Sequence, residues 1–245
     1  MSEFTFVFYA KIIQSLKENG YEIADYDNYR KYPRTAILRH DIDFDIQKSV
    51  IMAEHEAALG VTATYYVLLR TDLYSVFSAA SVAGLKRIME LGGKIGLHFD
   101  ETCYPLVMGK SEEVKKLILS EKDILEDIIG TPVTTVSMHQ PSRQIIEAEL
   151  DIPGMINSYR SEFFREMKYV SDSCRNWREP VIDIIKSNEY DRIHILTHAL
   201  WWHDEDMSLH DTLCSYINEA NMIRYEALMS QVEKYREIMP ASEVR

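Results

Sequence analysis

The chain has 245 residues, 46% of them hydrophobic and 27% charged, with 39 acidic against 27 basic side chains and a formal net charge of −12. That composition suits a soluble globular protein with a sizeable core. The acidic excess excludes nucleic acid or an anionic membrane surface as the main partner. The three cysteines (Cys103, Cys174, Cys214) are widely spaced with no CxxC, which reads as reduced thiols rather than a disulfide framework or thiolate metal site.

The opening MSEFTFVFYAKIIQSLKENG is too charged and too amphipathic for an export signal, and its apolar spacing predicts a helix over about residues 5–19. No apolar run approaches the length of a membrane span, so the expected setting is the cytoplasm. Strand patterns follow at AILRH (36–40), TATYYVLL (62–69), KIGLHF (94–99), TTVSMH (134–139), MKYVSD (167–172) and RIHILTH (192–198). Helical patterns lie between them: IQKSVIMAEHEAAL, SAASVAGLKRIMEL, SEEVKKLILSEKDILEDII and EPVIDIIKSN. Gly60, Gly92-Gly93 and Gly130 fall where helix C-termini call for a left-handed residue. The last segment, DTLCSYINEANMIRYEALMSQVEKYREI, reads as one long amphipathic helix. Strands alternating with helices predict an α/β fold with a parallel sheet and helical crossovers, most simply a barrel-like arrangement, with residues 1–245 as a single domain.

The strand ends carry the chemistry. His40, His98, His139 and His198, four of only eight histidines, each close a different strand. In a parallel barrel those C-terminal ends share one face, where catalytic groups gather. The first strand runs TAILRHDIDFD, so Asp41, Asp43 and Asp45 follow one another at spacings of two. Such close like charges are costly unless a cation or a proton is shared, and Arg39 and His40 are placed to hold them ionised. Asp45 is also placed to cap the helix starting near Ile46. Histidine nitrogen with carboxylate oxygen is the ligand mixture of zinc and related ions in hydrolases, where an open position acidifies water. His194 alternates with core positions and reads as packing, His55 sits in a regular helix, and no motif supports His203 or His210. In LWWHDED, Trp201 and Trp202 follow His198, and aromatic faces of this kind stack on sugar rings.

In chain order, LRHDID (38–43), IGLHFDET (95–102), SMHQPS (137–142), YVSDSCRNWR (169–178) and ILTH (195–198) resemble the five motifs of the polysaccharide deacetylase superfamily, with its NodB-homology fold (carbohydrate esterase family 4), in a divergent intracellular branch. The resemblance covers most of the chain up to His198. It implies a distorted (β/α)7 barrel of the NodB type, here with a long C-terminal helix. It also implies a metal-dependent hydrolase that removes an N-acyl group, acetyl or formyl, from an amino sugar; the lack of an export signal favours a surface-polysaccharide precursor. Carried over, Asp41 would be the base that activates water, Asp43 and His98 metal ligands, and His198 the acid that protonates the departing amine. The cofactor would be a divalent ion, expected to be Zn2+. The family's second motif has a further histidine four residues on, where this chain has Thr102. His139 is the natural replacement ligand, ahead of Asp100 or Glu101. Arg39, Trp177, Arg178 and Trp201 are assigned to substrate binding, with Asp172 supporting the catalytic groups. The missing second-motif histidine leaves open a catalytically inactive sugar- or protein-binding member, and the fold also admits a hydrolase of a non-sugar amide.

Overall fold

The computed structural model describes residues 3–244. Thr5 caps the first helix, α1 (Phe6–Glu18), its hydroxyl accepting from the Phe8 amide, and the apolar stripe of Phe8, Tyr9, Ile12, Ile13 and Leu16 is buried. A three-residue strand, β1 (Glu22–Ala24), precedes β2 (Thr35–Ile42). The chain then alternates: α2 (Ile46–Ala58), β3 (Thr64–Leu68), α3 (Ala79–Glu90), β4 (Lys94–Asp100), α4 (Ser111–Ile129), β5 (Thr135–His139) and α5 (Arg143–Ala148). It continues through β6 (Ile156–Asn157), β7 (Lys168–Ser171), α6 (Val181–Ser187), β8 (Arg192–Thr197) and α7 (Leu209–Gln231).

Strand neighbours run β6-β5-β4-β3-β2-β8-β7, and β1 also pairs with β2. The pairings along this path are parallel. Helical crossovers join the parallel strands into a curled half-barrel, which agrees with the barrel-like arrangement expected from strand–helix alternation and with the distorted (β/α)7 barrel that the resemblance implies. All eight residues of β2 are buried, as a strand covered on both faces requires. The larger core cluster packs the helices onto the outside of the sheet, while Tyr26, Tyr29, Ile37, Tyr66, Phe163 and Met167 form a second cluster. Gly96 in β4 makes room for that second cluster, because a Cβ there would lie 2.6 Å from the Tyr66 ring.

All six strand patterns form strands. The first runs two residues past His40 and so carries Asp41 within the sheet. Asp45 caps α2, accepting from the Gln47 and Lys48 amides at 2.6 and 3.4 Å. The C-terminal segment departs from its pattern. Its helix ends at Gln231, Val232 turns extended, and a 3-10 turn over Glu233–Glu237 brings the Tyr225 hydroxyl to the Met239 carbonyl at 2.9 Å. The strands β1 and β6, three and two residues long, are too short to leave a period in the sequence. Among the described residues, no helix is long and apolar enough to cross a membrane.

Candidate active site

Strand alternation sorts the first motif. Arg39 and Asp41 share the inner face of β2 and form a bidentate pair, Nε to Oδ1 at 2.8 Å and Nη2 to Oδ2 at 2.7 Å. Arg39 also reaches the hydroxyls of Ser137 and Ser158 and lies over the rings of Tyr66 and Tyr159. Its side chain is fully buried and its guanidinium is committed to Asp41 rather than to the cavity, where the sequence places it as a substrate contact. Burial alone would raise the Asp41 carboxyl; Arg39, with His98 and His198, reverses this and holds it well below the usual carboxylate range.

His40 points the other way. Its Nε2 meets Glu56 at 2.8 Å and its Nδ1 meets Thr197 at 2.6 Å, on the helix side of the sheet. Of the four strand-end histidines, three therefore converge: His98, His139 and His198. The Nε2 of His98 lies 3.2 Å from Asp43 Oδ1, and the Nε2 atoms of His139 and His198 lie 3.9 and 3.6 Å from Asp43 Oδ2.

Asp43, His98 and His139 each offer one ligand atom within 4.8 Å of the others. Both rings are aimed from behind. His98 Nδ1 faces the Ser137 carbonyl at 3.3 Å, and His139 Nδ1 faces Asp100 Oδ2 at 3.1 Å. A carbonyl or carboxylate behind Nδ1 is how metal-binding imidazoles are oriented, leaving Nε2 free for the ion. Asp43 Oδ1 is buried, makes no hydrogen bond, and is the only carboxylate oxygen in that condition among the described residues. Burial acts to raise the Asp43 carboxyl, and His98, 3.2 Å from Oδ1, with His198 outweighs this and lowers it. An oxygen left this way is costly unless a cation completes it, so this donor set of two nitrogens and one oxygen fits a divalent ion.

Thr102 stands where the family pattern has a histidine, and it has another task. Its amide and hydroxyl both donate to Asp100 Oδ1, at 2.8 and 2.7 Å. Asp100 is thereby fixed to aim His139. Glu101 is no ligand: buried, it accepts from the amides of Ser142 and Gly109 and ties together the segments that follow β5 and β4.

His198 is held by Asp172, which is fully buried at the end of β7. Asp172 Oδ1 accepts from His198 Nδ1 at 2.6 Å, both carboxylate oxygens accept from the His198 amide at 3.1 Å, and Trp202 Nε1 donates to Oδ2 at 3.0 Å. With Nδ1 so occupied, Nε2 faces the cavity. Burial acts to lower the ring's pKa, but Asp172, Asp43 and Asp41 outweigh it and raise it to about 9.

These groups line a cavity of about 780 Å3 with Phe44, Tyr159, Tyr169 and Trp201 on its walls. Trp201 thus stands on the cavity wall. Trp177 is not, which corrects its assignment: it packs edge-on against Trp202, with centroids 6.3 Å apart, behind Asp172. Arg178 lines an adjoining cavity of about 410 Å3 that shares Tyr159, Tyr169 and Ser173 with the first. Cys174 and Arg175, in the same loop, both take left-handed backbone angles (φ 58° and 53°), a conformation that side-chain-bearing residues adopt at a cost. Tyr159, Tyr169 and Phe44 were not among the residues singled out by sequence. Phe44 had the best signal, lying inside the first motif's acidic run.

No family model matches the chain, and no curated protein does. Among solved structures, the fold is similar to a CE4 family pseudoenzyme from Bacillus anthracis (14% identity, 77% of this chain and 62% of that one, TM-score 0.47). It is also similar to the deacetylase PplD of Streptococcus pyogenes in complex with acetate (14%, 78% and 80%, 0.44). A third is the peptidoglycan deacetylase PdaC of Bacillus subtilis (14%, 82% and 96%, 0.41). The chain spans less than two thirds of the B. anthracis protein.

Proposed function

We propose that the chain is a metal-dependent hydrolase that removes an N-acyl group, acetyl or formyl, from an amino sugar. The observation that carries this reading is the convergence of Asp43, His98 and His139, with both imidazoles backed at Nδ1 and a buried Asp43 oxygen lacking any hydrogen bond. Those three residues would hold a divalent ion, for which zinc suits the donor set. Such an ion supplies Lewis acidity, polarising an acyl carbonyl and acidifying water.

The protein's own groups supply the proton transfers. Asp41 takes the proton of the attacking water. Arg39 keeps it ionised and oriented to accept that proton, and a bound ion would supply the acidification of the water. His198 stands across Asp43 from His98 with Nε2 towards the cavity, and it donates the proton that the departing amine needs. Asp172 keeps that ring in the tautomer and orientation the donation requires. The aromatic walls, Trp201 above all, suit the apolar face of a sugar ring.

The test is release of acetate or formate from a panel of N-acetyl and N-formyl amino sugars, free, oligomeric and nucleotide-linked, with zinc-loaded protein. Release that a chelator abolishes and zinc restores is the expected result. Release indifferent to the chelator, or no release from any member, contradicts the reading.

A further inference from the structure

Behind the site, on the outer face of the sheet, lies a second buried polar cluster. Glu56 of α2 is 1% exposed and accepts from the Tyr9 hydroxyl of α1 at 2.6 Å, the Tyr65 hydroxyl of β3 at 2.6 Å, and His40 Nε2 of β2 at 2.8 Å. A carboxylate only accepts, so His40 Nε2 carries the proton; in the neutral ring Nδ1 then accepts from the Thr197 hydroxyl of β8, 2.6 Å away. His40 and Thr197 are register partners on adjacent parallel strands. The next residue along the chain is Asp41 in β2 and His198 just past the end of β8.

We infer that His40 and Thr197 are positioning residues that set the spacing between the base Asp41 and the acid His198, with Glu56, Tyr9 and Tyr65 locking the His40 ring; this rests on the roles given to Asp41 and His198 above. The energetics favour this reading over simple packing. Apolar side chains would fill the same space without desolvating a carboxylate, an imidazole and three hydroxyls. A fully partnered polar network instead fixes one geometry, because every displacement breaks a buried hydrogen bond. The pins sit one residue behind each catalytic group, where small strand slippage is transmitted directly to the reacting atoms. Among the described residues, the inner face has no equivalent side-chain hydrogen bond between β2 and β8. Asp41 is held there by Arg39, and His198 by Asp172 of β7.

The experiment compares Thr197→Val, Thr197→Ser and His40→Phe with wild type in the full zinc-loaded chain. Turnover is read as acetate release from tetra-N-acetylchitotetraose, and the His198 Nδ1 proton shared with Asp172 by NMR without substrate. Thr197→Val keeps shape and loses only the hydroxyl, so its folding is the safest. The expected result is a kcat lower by on the order of 10²-fold, with KM and zinc content unchanged, in both Thr197→Val and His40→Phe. Thr197→Ser should restore it, and the double variant should be no worse than either single one. The His198 proton resonance should shift and lose intensity in both defective variants. Wild-type kcat and an unmoved resonance in Thr197→Val would overturn the inference. If wild type releases no acetate, the functional reading fails for this substrate while the resonance still decides: moved supports the pin, unmoved overturns it.

Discussion

Two histidine–carboxylate clusters made from similar residues lie on opposite sides of the sheet, one buried behind β2 and β8 and the other half-buried at the strand ends. On the outer face, Glu56 receives three donors and both nitrogens of His40 are engaged. On the inner face, His98 and His139 each have one nitrogen engaged from behind, while their second nitrogens converge with Asp43, whose Oδ1 makes no hydrogen bond. Residue type does not distinguish the clusters; partner count does. On the function proposed above, a complete set of partners holds strands in register, and an incomplete set pointing into an open cavity leaves room for an ion and a substrate.

The sharpest way to break this contrast is Asp43→Asn. It removes the incomplete carboxylate and should abolish both ion binding and acyl release, with the thermal unfolding midpoint kept near wild type in the absence of metal. Activity retained in this variant would make Asp43 a bystander. Asp41→Asn should separate the two functions, lowering kcat by on the order of 10²–10⁴-fold while the ion stays bound.

Arg39 tests how far the inner face depends on its own pairing. Arg39→Met leaves Asp41 buried without its partner and should destabilise the fold by about 3–5 kcal/mol, measured by urea unfolding at neutral pH. A loss near zero would mean that Asp41 is solvated well enough to stand alone.

The smallest effect belongs to a third histidine, and it is a pH dependence. His194, at the barrel floor, is engaged at both nitrogens, by the Tyr26 hydroxyl at 2.7 Å and the Phe163 carbonyl at 3.1 Å. Burial, aided by the charge of Arg39, pushes its pKa down from the ordinary 6.5 to about 3. Above pH 6.5 the ring is neutral in both folded and unfolded chains and stability is unaffected. As pH falls from 6.5 towards 3, only the unfolded chain takes up the proton, so stability declines through that window. Urea unfolding of His194→Gln should show a shallower decline over the same range. An unchanged slope would assign the acid sensitivity elsewhere.

Much of this was legible in the sequence because it rests on short-range rules. Asp45 as a cap, the glycines closing helices, and strands that bring His98, His139 and His198 to their C-terminal ends all follow from local periodicity and turn chemistry. The same alternation rule separates His40 from Asp41, and grouping four histidines by strand end alone put His40 on the wrong face. What could not be read depends on distant segments. Tyr159 follows a two-residue strand with no period of its own. Trp177 faces Trp202 rather than the cavity, in a loop where two consecutive residues, Cys174 and Arg175, take left-handed angles that no local pattern announces. Thr102 marks a missing histidine in the motif, yet only the geometry shows it holding the carboxylate that aims His139.

The central claim is that the incomplete inner cluster holds one divalent ion, and metal content tests it most directly. After zinc reconstitution and desalting, mass spectrometric metal analysis should give one zinc per chain in wild type and in His198→Ala, and none in His139→Ala. A wild-type chain that retains no zinc, and no cobalt or manganese in its place, would contradict the account.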